Sequence, residues 1–301
     1  MQNHSIKTGI LPTHKYGIEY VEHCAVRAAD DQLAFVRRKD AVQQHFNIPV
    51  GNTAVLLLGP GTSLTQQAAR MCAENNVLIG FCGGGATPVY MAALNEYREP
   101  RYSRAWIAMW EQEDRRLAAA KLFQVRRSAL IEKAWKKYPE ITADPHLCVA
   151  HYLAQLPRCA TTEMLLLEEA LLSKNLYALL AKEFGREFSR KPRTKEFANA
   201  FLDAGNYLAY GLAACCLWVL GIPFSYPLVH GKTRRGALVF DVADLIKDAY
   251  VMPNAFISAA LGESDSVCRR RILATLHDAN ALGILFKEVL ALIEPAEVSP
   301  D

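Results

Sequence analysis

Thr53-Ala-Val-Leu-Leu-Leu58-Gly-Pro-Gly-Thr-Ser-Leu-Thr65 passes from six residues suited to a buried strand, through a glycine and proline turn, into hydroxyl side chains able to cap a helix. Gln66 to Asn75 supplies that helix, with Thr62, Ser63 or Thr65 as its cap, and Val77-Leu-Ile-Gly-Phe-Cys82 reads as a second strand ended by Gly83-Gly-Gly85. Strand, helix and strand in this order place a parallel pair at one edge of a mostly β domain. Upstream, Tyr16-Gly-Ile-Glu-Tyr-Val-Glu-His-Cys-Ala-Val26 and Leu33-Ala-Phe-Val-Arg37 read as further strands. Downstream of about Asn95 the segments lengthen, take helical spacing and become rich in Ala, Leu, Lys, Arg and Glu. Helices are expected over 101–137 with a break near the middle, 146–156, 161–184, 195–220, 242–252 and 268–293. The expected fold class is α+β, with a small β-rich domain over residues 1–95 and a larger all-α domain over 96–301.

A chain of 301 residues exceeds the usual single core, and 51% hydrophobic residues give ample material for two. The net charge of +3 does not by itself identify a nucleic-acid binder. The charge is unevenly spread: from Arg98 to Lys137 eleven Lys/Arg face five Asp/Glu, and from Lys182 to Lys195 six face two. Eight cysteines include no C-x-x-C pair, the pattern of buried thiols in a reducing compartment rather than of a zinc knuckle. The start of the chain lacks the charged-then-apolar pattern of a secretory signal, and the longest apolar run, Leu212 to Ile222, is short for a bilayer core of about 30 Å. A cytoplasmic protein with no membrane partner is the expectation.

The chemistry concentrates in His230-Gly-Lys-Thr-Arg-Arg-Gly-Ala-Leu-Val-Phe-Asp241-Val-Ala-Asp244. An imidazole and two carboxylates here come within reach of one divalent ion, and Lys232, Arg234 and Arg235 can hold phosphates beside it. Asp241 follows the strand-like or extended stretch Ala237-Leu-Val-Phe240 and reads as the cap of the helix from Val242, which puts Asp244 and Asp248 on its first turns. Capping and the helix dipole explain acidic residues at a helix start equally well without a metal. Gly231-Lys-Thr233 resembles the tail of a nucleotide-binding loop, but Tyr226 stands where that loop needs its first glycine, which excludes an ATPase of that kind.

A further carboxylate comes from the apolar segment Glu163 to Lys182, where Glu168 and Glu169 are adjacent. Neighbouring helical residues diverge by about 100°, so one of the two faces a site, and periodicity alone does not choose between them. A carboxylate on such a stripe needs a metal or an arginine as partner.

These residues resemble the CRISPR-associated integrase of the adaptation module, the first and most widespread Cas protein. The resemblance rests on four ordered blocks: Glu169 with Tyr177 eight residues on, Asp203-Ala-Gly-Asn206-Tyr207, Gly221-Ile-Pro with His230-Gly-Lys, and Phe240-Asp241-Val-Ala-Asp244. The N-terminal blocks Lys15-Tyr-Gly-Ile-Glu and Leu58-Gly-Pro-Gly-Thr-Ser63 look like the version in subtype F of type I systems. What the resemblance implies is a β-rich N-terminal domain serving a homodimer and a helical catalytic domain. It implies Glu169, His230 and Asp244 as ligands of Mg²⁺ or Mn²⁺, with Asp241 binding metal or ordering the site. The implied reaction joins short foreign DNA fragments to a CRISPR array by transesterification, with metal-dependent cleavage of DNA as the related hydrolysis. Its partners are double-stranded DNA and the small second adaptation subunit, fused in this subtype to the helicase-nuclease. From charge placement, Arg101, Arg104, Arg126 and Arg127 are expected to track the duplex beyond Lys232, Arg234 and Arg235. Two other readings of the same residues are a catalytically silent DNA-binding assembly subunit and a phosphohydrolase acting on small nucleotides.

Overall fold

The computed structural model describes residue 15 and residues 17–29, 32–39, 42–82, 88–91, 100–194, 196–231 and 237–293. It has the α+β character expected of the sequence, and the chain divides into two compact units, Met1–Arg98 and Glu99–Asp301. The Gly83-Gly-Gly85 turn and the acidic tail lie outside the described residues.

The first unit holds β1 (Gly17–Val21), β2 (Ala25–Ala29), β3 (Gln32–Lys39), β4 (Val42–Ile48), β5 (Thr53–Leu58), β6 (Ser63–Leu64), α1 (Gln66–Glu74), β7 (Leu78–Cys82) and β8 (Pro88–Met91). Two four-stranded sheets run β1-β5-β7-β8 and β4-β3-β2-β6. The parallel pair β5 and β7 sits at the centre of its sheet, not at the expected edge, because β1 adds parallel to β5 and β8 antiparallel to β7. All six residues of β5 are buried, as a central strand covered on both faces requires. Its core partners include Val21, Val26, Leu33, Ile48, Ala68 and Cys72. The single strand expected over 16–26 is two strands, broken where His23 takes a positive φ of 50°. The Gly59-Pro60-Gly61 turn packs against that break: a Cβ on Gly61, which has φ 67°, would lie 2.5 Å from His23 Nδ1. Thr65 is the helix cap, accepting from the Ala68 amide at 3.2 Å, and the buried Lys15 ammonium donates to the carbonyls of Val50 and Asn75 at the other end of α1.

The second unit is helical: α2 (Arg101–Trp110), α3 (Glu113–Trp135), α4 (His146–Gln155), α5 (Thr162–Glu183), α6 (Asn199–Leu220), α7 (Ala237–Ile246), α8 (Met252–Ala260), α9 (Asp265–Asp278) and α10 (Ala281–Leu290). The break expected near the middle of 101–137 falls earlier, at Glu111 and Gln112, and the single helix expected over 268–293 is two, divided at Asn280, a left-handed residue whose side chain accepts from the Gly283 amide. At the centre is α6, packed against α7, α8, α9 and α10. By length and hydropathy α6 could cross a membrane, but 61% of that apolar window is buried inside the unit, the property of a core helix.

Two departures from the expected helices surround the site. The first is that α7 starts at Ala237, so Asp241 lies one turn inside the helix and does not cap it. The stretch Ala237-Leu-Val-Phe240 suits either a strand or a helix, and packing against α6 decides for the helix, with Leu238 fully buried. The second is that the helix continues beyond 252, through a π-helical turn, Lys247–Val251, into α8. Pro253 has no N–H to give, yet the carbonyls in its vicinity are satisfied: Trp135 Nε1 donates to the Asp248 carbonyl at 2.8 Å and the Tyr138 hydroxyl to that of Ala249 at 3.3 Å.

Gly205 lets α6 approach this turn closely. An added Cβ would lie 2.4 Å from Val251 Cγ1 and 2.8 Å from Ile272 Cδ1. Gly205→Ala is expected to destabilise the protein by about 1–3 kcal/mol through overpacking, which a denaturant melt would register as a lower midpoint at unchanged slope.

Candidate metal centre

Three elements converge on one point. Glu169 from the middle of α5, His230 from the loop after α6 and Asp244 from α7 each offer a ligand atom, all within 4.8 Å of one another. Glu169 is buried on the stripe with Leu165, Leu172 and Leu176, whereas Glu168 is half-buried and its charge acts on Cys159 instead. The helical offset between the two glutamates thus places Glu169 in the cluster.

Asp241 is fully engaged. Its Oδ2 accepts from the amides of Leu228 at 2.7 Å and Val229 at 3.3 Å, and its Oδ1 from the His230 amide at 3.0 Å and His230 Nδ1 at 2.8 Å. Those four bonds use the acceptor sites of a carboxylate. With Nδ1–H given to Asp241, Nε2 is the imidazole nitrogen left with a lone pair for a ligand. Burial alone would lower the basicity of His230, but the bond to Asp241 and the charges of Asp244, Asp241 and Glu169 raise its pKa above the ordinary value.

The two other carboxyls are driven in opposite directions. Burial raises Glu169 to about 7, partly offset by Arg127 and reinforced by Asp244. Burial works the same way on Asp244, yet Lys247, Arg127 and His230 overcome it and hold Asp244 below the usual carboxylate range. The Lys247 ammonium bonds Asp244 Oδ1 directly. A shared proton would therefore reside on Glu169 while Asp244 stays ionised. Two close carboxylates and an imidazole, with one carboxyl pushed towards neutrality by burial and by its acidic neighbour, suit a hard divalent cation.

Arg127 departs from the expectation placed on it. It does not lie along an exposed DNA path; it is 2% exposed. From α3 its Nε and NH2 groups grip Asp248 Oδ2, NH1 pairs with Glu169 Oε1 at 2.9 Å, and Gln124 and Ser173 take further bonds. Buried acids at the centre of the unit need a buried cation, and α3 turns Arg127 inward while its neighbour Arg126 faces out and pairs with Glu288 at 3.5 Å. Arg101 and Arg104 are exposed on α2. Lys232, Arg234 and Arg235 lie outside the described residues. Lys247 went unnoticed in the sequence, although its position three residues after Asp244 on a helix carries the signal of an ion pair.

The family described as CRISPR associated protein Cas1 matches residues 21–258. The CRISPR-associated endonuclease Cas1 of Pseudomonas aeruginosa is 40% identical, with 96% of each chain covered, and that of Pectobacterium atrosepticum is 39% identical, with 92% of this chain and 91% of the relative covered. A Cas1 protein from Thermotoga maritima shares the fold, with a TM-score of 0.71 at 16% identity over 94% of this chain and 99% of that one. On this similarity across nearly its whole length, the chain belongs to the Cas1 family of CRISPR-associated proteins.

Proposed function

We propose that this protein is a metal-dependent DNA integrase and endonuclease that inserts short foreign DNA fragments into a CRISPR array by transesterification. The observation that carries the reading is the convergence of Glu169, His230 and Asp244 within 4.8 Å in a chain whose relatives are named endonucleases. Mg²⁺ or Mn²⁺ is the ion this oxygen-rich donor set suits, with Glu169, His230 and Asp244 as its ligands. Such an ion supplies charge stabilisation for the oxygens that attack and leave phosphorus, whether the nucleophile is the 3′-hydroxyl of a fragment or water.

The remaining residues prepare that site. Asp241 orients His230 and is not itself a ligand, since its acceptor positions are taken. Arg127 holds Glu169 in place and Lys247 keeps Asp244 ionised. Lys232, Arg234 and Arg235 remain proposed phosphate contacts by their closeness in sequence to His230, and the exposed Arg101, Arg104 and Arg126 more distant ones along double-stranded DNA. The homodimer formed through an N-terminal domain over 1–95, and the second adaptation subunit fused to the helicase-nuclease, are parts of the same proposal.

The test is cleavage and strand joining on a repeat-containing plasmid during a titration of Mn²⁺ and pH. Chelation should abolish turnover and Mn²⁺ restore it. Because the Glu169 carboxyl is raised to about 7, protons compete with the cation below that value. The Mn²⁺ concentration for half-maximal rate should therefore fall as pH rises from about 6 to 8, as Glu169 and the His230 imidazole give up their protons, and level off only above that, the inverse of a requirement for neutral Glu169. Turnover that survives chelation would overturn the metal dependence, whereas binding without turnover under any condition would leave a non-catalytic DNA-binding subunit as the better reading.

A further inference from the structure

The loop that carries His230 is held from two directions. Asp241 takes the N–H groups of Leu228, Val229 and His230, and the carbonyls just before them go to α2: Trp106 Nε1 donates to the Tyr226 carbonyl at 3.0 Å and Trp110 Nε1 to the Pro227 carbonyl at 2.6 Å. The Pro227 carbonyl and the Leu228 N–H belong to one peptide group, which is trans, so the two point to opposite sides of the chain. Trp110 and Asp241 thus grip one peptide plane from opposite sides and fix its rotation two residues before His230.

The indoles are themselves well seated. Trp106 is fully buried, and Trp110 packs its ring edge-on to Tyr226 with centroids 5.0 Å apart while the Arg116 guanidinium lies 5.2 Å from the ring. Burial of aromatic area alone does not require both N–H groups to end on successive carbonyls of the histidine loop. We propose that Trp110, with Trp106 beside it, is a positioning residue for His230, setting the direction in which the imidazole meets a divalent cation. The inference rests on the metal-site reading of Glu169, His230 and Asp244.

Trp110→Phe removes the donor and keeps an aromatic ring against Tyr226. Removing a group that orients a metal ligand costs about 10–100-fold in affinity; one step further out, a rise in the Mn²⁺ dissociation constant of about 5–10-fold is expected, read from the free-ion electron paramagnetic resonance signal well below the thermal midpoint. A merely structural role would lower that midpoint and leave the constant unchanged, which overturns the inference. Wild-type protein that binds no Mn²⁺ overturns the metal-site reading and this inference with it, whereas equal binding by both proteins defeats this one alone. Should the variant fail to fold, the indole N–H resonances of the wild-type protein decide: saturation with Mg²⁺ should move that of Trp110, and a resonance that stays in place sinks the proposal.

Discussion

An Arg127→Met variant is expected to lose about 3–5 kcal/mol of stability, the usual consequence of taking one partner from a buried ion pair. Arg127 is the common counter-charge of Glu169 and Asp248, and it also ties Gln124 on α3 and Ser173 on α5 to the same group. Methionine fills much of the volume but leaves Glu169 and Asp248 buried without the guanidinium that pairs with both. For a unit of this size each kcal/mol moves the thermal midpoint by about 2–4 °C, so calorimetry should show a drop of roughly 10 °C. If the cost comes from stranded charge, adding Asp248→Asn should recover a large part of it, making the double variant more stable than the single one. A single variant that melts with the wild-type protein would mean that solvent or another cation reaches these acids.

The adjacent arginines Arg126 and Arg127 show where the sequence stops being informative. Both read as surface charge in a basic segment, and one is. The other belongs to the core because Asp248, 121 positions away in sequence, needs it. Local signals were sufficient where one element decides its own fate: the Thr161 cap and the apolar period of α5 place that helix within a residue of its expected ends at Thr162 and Glu183. They were insufficient where packing decides. Val42–Ile48 is mostly polar, yet it forms an edge strand because Phe46 stacks on Phe35 across the pair with ring centroids 4.9 Å apart. The helix expected to end at 252 continues through Pro253 as α8 because Trp135 and Tyr138 reach in from α3 and the loop after it to bond carbonyls. The site divides in the same way. His230, Asp241 and Asp244 are visible as a local cluster, and Glu169 follows from family resemblance. The hydrogen bonds of Asp241, the lysine on Asp244 and the inward turn of Arg127 depend on the folded chain.

Glu169→Gln separates chemistry from architecture more cleanly than any other change. Glutamine keeps the shape, and its amide oxygen can still accept from Arg127, while the charge that Asp244 repels is gone. Since burial and Asp244 raise the Glu169 carboxyl to about 7, its ionised form destabilises the fold at higher pH, and neutral glutamine removes that cost. The folded-state pKa lies above the unfolded one, so this cost grows as pH rises through the interval between them. The variant should melt at or above the wild-type temperature at pH 8. Activity should move the other way, because the ligand set keeps one carboxylate in place of two. Losing about 4 kcal/mol of transition-state stabilisation lowers plasmid cleavage with Mn²⁺ by roughly a thousandfold. Glu168→Gln provides the control: its side chain is half-buried and outside the cluster of Glu169, His230 and Asp244, so cleavage should stay within about twofold of wild type, the range of an ordinary surface change. A Glu169→Gln protein that melts normally and still cuts would move the reaction to another site. Loss in Glu168→Gln instead would reverse the assignment of the two glutamates, since a helix turns only one of them towards His230 and Asp244.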